Sequence, residues 1–475
     1  MDNLKQILEA ILEVLPDDVS NAGNPLKPKE LYIPQAHMKS LRLYATIVVG
    51  SRGVGKTTWT SALADWESRK IIGANIAELE NASVQVGYGL TPNLNNYPDK
   101  ESIKGLLEKN FNPRDIWRSV IIRWLSREIN ETIPIENWSE NILWVQKNPE
   151  NCAKIFEKAN STLKSDKKNG LILFDALDRL SDSWEEMDNL VRELLRLALE
   201  LKAFTNIHAK IFLREDQLSR NVTNFPDASK LQTTKAELNW DREDLYGLLW
   251  QQLCNAPGIG GDILRHYYQD IVGLPPSKQD DYWVITDGIK QNETRQRELF
   301  EKLAGSWMGK DKRRGVPYVW TVGHLSDGNK QVSPRSFLAA IKTAADDSMR
   351  RTGDYPLHYE SIKKGVRSAS KIRVNEIAED YPWIKDLCEP LAGRNVPALF
   401  NDFENIWKQK YPGGPNMIKS KQLPPQDMER GWQGIKDELI RLGVFEEMRD
   451  SRINMPDLFR VGFGLGRKGG VPPVG

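Results

Sequence analysis

Gly50-Ser51-Arg52-Gly53-Val54-Gly55-Lys56-Thr57 has the spacing G-x-x-x-x-G-K-[ST], and its flanks decide how it is read. Residues 43–49 (LYATIVV) before it are a short apolar, β-branched run suited to a buried parallel strand, and residues 57–66 (TTWTSALADW) after it switch to helical spacing. A strand, a glycine-rich turn and a helix N-terminus in that order form a phosphate-binding loop. Gly50, Gly53 and Gly55 let the backbone close around a polyphosphate, whose charge is met by unpaired N–H groups at the helix start. Lys56 is placed to reach the terminal phosphates and Thr57 to hold Mg2+ through its hydroxyl, with Thr58 next to it in the same cradle.

Working outward, four more strands and a crossover helix are expected. Residues 82–88 alternate like a strand. Residues 171–174 (LILF) are a buried strand that delivers Asp175 beside the loop, where a carboxylate serves the Mg2+ shell. Asp178 lies just past that strand. It is positioned either to orient or deprotonate an attacking water, or to cap the next helix. Residues 184–201 are an amphipathic helix, residues 208–213 (HAKIFL) a strand ending at Arg214, and residues 235–240 a last strand. Arg214 is a sensor candidate facing the terminal phosphate, or else an ion-pair partner of Glu215 or Asp216. Trp117, Trp124, Trp138 and Trp144 mark a helical insertion that packs on the core, or else an aromatic ligand cage.

At 475 residues the chain exceeds what one hydrophobic core serves, so roughly two to four domains are expected. The expected division is an N-terminal helix and linker (1–30), a P-loop core with a helical insertion (31–240), a helical lid (241–350) and a winged-helix-like C-terminal domain (351–475). The fold class is α/β, a three-layer P-loop NTPase with a parallel sheet. Lys plus Arg (66) and Asp plus Glu (65) nearly cancel, so no global field favours nucleic acid or an anionic membrane. The three cysteines form no C-x-x-C pair, which argues for a reducing compartment and against structural zinc. Without an h-region or a run of about 18 apolar residues, the chain reads as soluble and cytoplasmic.

Further along, residues 257–331 read as polar and loop-rich. They include a basic cluster at 310–315, which is either a solvated face or, through Arg313 or Arg314, a group that reaches a neighbouring subunit's phosphate. Ser333-Pro334-Arg335 opens a helix, and Arg335 is placed to contact the nucleotide from the lid. Residues 428–442 read as a helix and 444–454 as a small ribbon. The tail at 462–475 reads as a flexible end without a second nucleotide site. The apolar face of residues 4–15 suits either core packing or a partner helix.

At Asp175-Ala176-Leu177-Asp178 the chain resembles the STAND class of AAA+-related ATPases, its NACHT branch in particular. Arg179 is similar to the KAP pattern, Arg214 to the STAND sensor arginine, and Ser333-Pro334-Arg335 to the lid motif of the Orc and KAP groups. The resemblance covers roughly residues 30–345. It implies an ATP-controlled switch that oligomerises on a trigger, often in bacterial antiphage defence, with a winged-helix domain holding the closed state. Since the residues outside the core carry no H-E-x-x-H, no G-x-S-x-G and no Cys-His pair at plausible spacing, a separate effector protein is expected to deliver any output. The competing expectation is an ATPase that binds nucleic acid through its winged helix and through basic stretches such as Lys363, Lys364, Arg367, Lys371 and Arg373.

Overall fold

The computed structural model describes residues 2–17, 25–219, 221–420 and 423–467. Two compact units emerge, one of residues 21–238 and the other of residues 1–20 with 239–475.

The first unit is built on a five-stranded sheet: β1 (Ile47–Val49), β2 (Ser83–Tyr88), β3 (Gly170–Phe174), β4 (Ile207–Leu213) and β5 (Ala236–Glu237), in the order β2-β3-β4-β1-β5. Every pairing is parallel. The C-terminal ends of all strands therefore lie along one edge, which is where parallel sheets place their ligands. β1 and β3 are wholly buried, as their unbroken apolar runs require. The helix Trp184–Leu201 crosses over between β3 and β4 with its apolar face inward. The helix Pro113–Glu128 carries Trp117, fully buried, whose Nε1 donates to the Leu190 carbonyl at 2.9 Å. Arg123 covers the Trp138 ring at 4.3 Å, so these tryptophans are packing groups.

The last strand, expected over 235–240, is only Ala236–Glu237, and two further boundaries differ from the sequence reading for reasons the side chains show. β1 begins at Ile47 and not at residue 43, because the backbone ahead of it turns its carbonyls to a side chain. Lys210 of β4, fully buried, donates from Nζ to the carbonyls of Ser40, Arg42 and Ala45 at 2.7, 2.9 and 2.9 Å. The loop helix ends at Ala64, because Asp65 takes an extended conformation and accepts from the Ser68 N–H at 2.8 Å, capping a new helix at Trp66.

Burial pushes the Lys210 ammonium down to about 7, with Glu78 opposing. Replacing it by methionine keeps the volume and strands three buried acceptors. Lys210→Met should lower the stability of this unit by about 2–4 kcal/mol. Urea unfolding followed by tryptophan fluorescence checks it, and an unchanged midpoint would show that the three carbonyls need no partner.

In the second unit the helix Asp2–Val14 packs against the helices Gly258–Val272 and Pro334–Ser348. Gly260 permits the approach, since a Cβ there would lie 2.1 Å from the Gln6 carbonyl oxygen. Ile7, Leu8, Ile11 and Leu15 are buried, so the apolar face is spent inside the chain. Residues 257–331 are more ordered than their composition suggests, with helices Gly258–Val272, Glu293–Ala304 and Pro317–Gly323 and an antiparallel pair, Ser277–Gln279 with Tyr282–Val284. Buried aromatic residues supply the core that a count of polar residues hides: Tyr246 stacks on Tyr318 at 4.2 Å and meets Phe300 and Phe337 edge to face at 4.9 and 5.1 Å.

Toward the C-terminus, Trp383, Trp407 and Trp432 are buried anchors, with the Trp407 Nε1 donating to the Leu387 carbonyl at 2.8 Å. The helix Gly431–Arg441 is followed by an antiparallel ribbon, Glu446–Glu447 with Ile453–Asn454. Residues 462–467 are packed: the Gly462 N–H donates to Ser370 Oγ at 2.8 Å and Leu465 is fully buried. The rest of the expected flexible tail, 468–475, lies outside the described residues. Among the described residues no helix is long and apolar enough to cross a membrane.

Candidate functional site

The loop 50–57 leaves β1 at the C-terminal edge, where the Gly50 N–H is tied to the Leu213 carbonyl of β4 at 3.1 Å. Gly55 caps the helix Lys56–Ala64 with φ 104°, a left-handed conformation that side chains rarely adopt, and Trp59 closes the first turn by donating to its carbonyl at 2.9 Å. Trp59 is itself held by His37, whose Nδ1 accepts from its Nε1 at 3.0 Å. Lys56 folds over the loop and donates to the Gly50 and Ser51 carbonyls at 2.8 and 2.9 Å. Burial, and after it the Arg214 charge, lower its ammonium to about 8 against the opposing pull of Asp178, Asp175 and Asp216. Five groups from separate stretches thus share one field.

Asp175 follows β3 directly, and its N–H is held by the Tyr88 carbonyl of β2 at 3.0 Å. The carboxyl is raised by burial, opposed by hydrogen bonds from the Thr57 hydroxyl and the Ala176 N–H and by the Lys56 charge. Its Oδ2 is buried without a hydrogen-bond partner. A buried, oxygen-only pair of hydroxyl and carboxylate, one oxygen of it unspent, fits a hard divalent cation such as Mg2+. No cluster of three or more His, Cys, Asp or Glu forms a metal cage among the described residues, so such an ion would take its other ligands from phosphate and water.

Ala176 then adopts φ 56°, ψ 30°, a left-handed conformation that costs a non-glycine residue about 1–2 kcal/mol. The kink throws the chain into the short turn Leu177–Arg179 and sets Asp178 opposite Arg214. Arg214 follows β4, the strand between β1 and β3, and is 8% exposed. Its Nη1 meets Asp178 Oδ2 at 3.3 Å and its Nε meets Asp216 Oδ1 at 3.2 Å. Asp178 caps no helix: the cap positions are Ala176 for its own turn and Ser183 for the helix after it. The arginine is ion-paired, and with two acids: the near neighbour the sequence offered, and Asp178 as well.

Sequence reasoning missed two features. Gln217, 2% exposed, accepts from the Arg214 N–H at 3.0 Å and fixes the backbone there. A cavity of about 430 Å3 flanks Thr57 and Asp175, with Thr60, Ser61, Gln85, Asn93 and Tyr97 among apolar residues such as Val84 and Val86 in its wall. Its residues come from four separate stretches, although the Gly/Pro/Asn run after β2 marks the loop that bounds it.

The remaining candidates lie in the other unit. Arg335 donates from Nη1 to Glu376 Oε1 at 2.8 Å, and Glu376 also takes Arg373 at 3.2 Å. Arg313, largely exposed, is bound to its neighbour Asp311 at 2.8 and 3.1 Å. Lys363 and Lys364 are likewise paired, with Glu360 and Asp347. Much of the positive charge of that basic stretch is therefore internally neutralised.

Residues 46–213 match the family model described as the ATPase family associated with various cellular activities (AAA). No curated protein matches the chain. Among solved structures, the chain is similar to the ORC2 protein of Aeropyrum pernix in its ADPNP–ADP complexes (15% identity, TM-score 0.40, 87% of this chain and 84% of that one). It is also similar to the ORC1 protein of the same organism in complex with DNA (13% identity, TM-score 0.36, 90% of each chain). At these scores the likenesses carry no weight for fold or function. The family match spans the loop, β1 to β4, Asp175 and Asp178, and residues 46–213 form an AAA ATPase domain.

Proposed function

We propose that the chain is a Mg2+-dependent ATPase that works as a STAND-like switch, assembling into a homo-oligomer and controlling a separate effector protein. The observation that supports it best is the sharing of Arg214 between Asp178 and Asp216 beside Lys56. A terminal phosphate held by Lys56 competes for Arg214, so occupancy of the loop and freedom of Asp178 become linked. Bound Mg2+ would neutralise charge developing on the transferred phosphoryl group. Thr57 and Asp175 supply its protein oxygens, and Asp178 accepts the proton of the attacking water once Arg214 has turned to the phosphate. The setting in antiphage defence rests on the resemblance alone. In this reading Arg335 contacts the nucleotide by leaving Glu376, and Arg313 or Arg314 serves a neighbouring subunit. Mass photometry of the full chain tests the switch: oligomers with ATP and Mg2+ and none with ADP support it, and one mass in both sinks it.

A pH dependence follows from Lys56. Its free-state ammonium is lowered to about 8, and a polyphosphate raises it, so binding above that value must take up a proton. ATP affinity should be flat in this group below pH 8 and fall by up to about tenfold per pH unit above it. The second phosphate ionisation, near about pH 6, lies outside that window. Calorimetry between pH 7 and 9.5 reads the slope, and constant affinity would remove Lys56 from phosphate binding.

The second reading, a nucleic-acid-associated ATPase, draws on the helix Gly431–Arg441 and the ribbon after it, an arrangement of winged-helix type. Duplex binding with a salt slope of several phosphates favours it, and no salt-dependent binding removes it.

A further inference from the structure

Asp178 and Asp216 both hold Arg214, but by different atoms and from different parts of the fold. Arg214 directly follows β4, and Asp216 lies two residues on, in the short helix Glu215–Ser219. That stretch also fixes the arginine's backbone: Gln217 Oε1 takes the Arg214 N–H at 3.0 Å, and the Leu218 N–H donates to the Arg214 carbonyl at 3.1 Å. Asp216 Oδ1 takes Nε at 3.2 Å, so the backbone and the stem of the side chain are bound by one local element. Asp178 belongs to the turn Leu177–Arg179 after β3 and takes Nη1 at 3.3 Å.

The two nitrogens are not equivalent. Nε adjoins the aliphatic stem and moves least when the guanidinium turns, whereas Nη1 is at its tip. The two acids differ as well. Side-chain exposure is 28% for Asp178 and 13% for Asp216, so the ion pair at the tip is the better screened and the easier to exchange. Burial lowers the Lys56 ammonium, and of the acids that oppose it Asp178 acts most strongly and Asp216 most weakly, which puts Asp178 on the side of the phosphate loop. A terminal phosphate beside Lys56 therefore draws the tip from Asp178 while the stem stays with Asp216.

We infer that Asp216 is a positioning residue for the triphosphate: it keeps Arg214 Nε in place while the tip passes from Asp178 to the terminal phosphate, and so makes the site favour ATP over ADP. The inference rests on the reading of Arg214 as a phosphate contact given above, and Asp216 itself touches no nucleotide. If both acids only neutralised a buried charge, removing Asp216 would cost stability and affect the two nucleotides alike.

The test is calorimetry on the full-length chain with ADP and with the β,γ-imido analogue of ATP, both with Mg2+, so that turnover does not enter. Asp216→Ala should weaken the triphosphate by at least about tenfold, as expected when a charge-assisted hydrogen bond is lost, and ADP by less than about threefold. Asp216→Asn keeps an oxygen that accepts from Nε and should recover most of that loss. Arg214→Lys should discriminate no better than Asp216→Ala, because one ammonium cannot stay on Asp216 and reach the phosphate together. It also decides the matter if Asp216→Ala does not fold. Arg214→Lys that discriminates like the parent, or Asp216→Ala that weakens both nucleotides alike or neither, would overturn the positioning role. A parent that binds both nucleotides equally would overturn the reading of Arg214 and this inference with it.

Discussion

Asp175→Ala should abolish ATP turnover, with loss of at least about a thousandfold, while leaving the loop folded. The carboxylate is the acidic half of the Thr57–Asp175 oxygen pair, and removing it takes away the charge that this pair offers a cation. Its loss also relieves burial of an unpaired oxygen, so the variant should be no less stable than the parent. Lys56→Ala should fail earlier, at ATP binding, because the ammonium that neutralises the terminal phosphates is gone. Filter binding with labelled ATP, beside phosphate release, separates the two. Turnover within about tenfold of the parent in Asp175→Ala would mean that the metal is held elsewhere.

Asp178→Asn should bind ATP normally and turn over at least about a hundredfold more slowly, because an amide keeps the shape of the carboxylate and cannot take a proton. The ion pair at 3.3 Å complicates this, since Asp178 also holds Arg214. Arg214→Ala resolves it through a double-mutant cycle. If Asp178 acts only by placing the arginine, the double variant loses no more than Arg214→Ala alone. If Asp178 is the base, its loss adds to that of Arg214. Near-normal turnover in Asp178→Asn would leave the residue as an arginine anchor only.

What the sequence revealed depended on how local the information was. The loop was legible because eight adjacent residues carry it and both flanks have the right period. Asp175 was legible because a buried strand has to end beside the loop for its carboxylate to be of use. The pairing of Asp178 with Arg214 was not, since they lie 36 residues apart and meet only because β4 is inserted between β3 and β1. Strand order depends on how the crossover helices pack, which no single stretch records. The early start expected for β1 failed for a similar reason: residues 43–46 are apolar enough for a strand, but Lys210, far away in sequence, claims the carbonyl of Ala45 and those of Ser40 and Arg42 just before them. At residues 363–373 two lysines that appear as a patch in the sequence form ion pairs, Lys363 with Glu360 on the helix Tyr359–Asp380 and Lys364 with Asp347 on the helix Pro334–Ser348. The amphipathic N-terminal helix had two possible partners until the bare backbone of Gly260 showed where it lies.

Phosphate release from ATP by the purified full-length chain, with Mg2+ and with the metal chelated, tests the central claim most directly. The expected result is steady turnover that requires Mg2+ and is absent from Lys56→Ala prepared in parallel. Tight ATP binding with no release under either condition, or release that Lys56→Ala leaves intact, would contradict it.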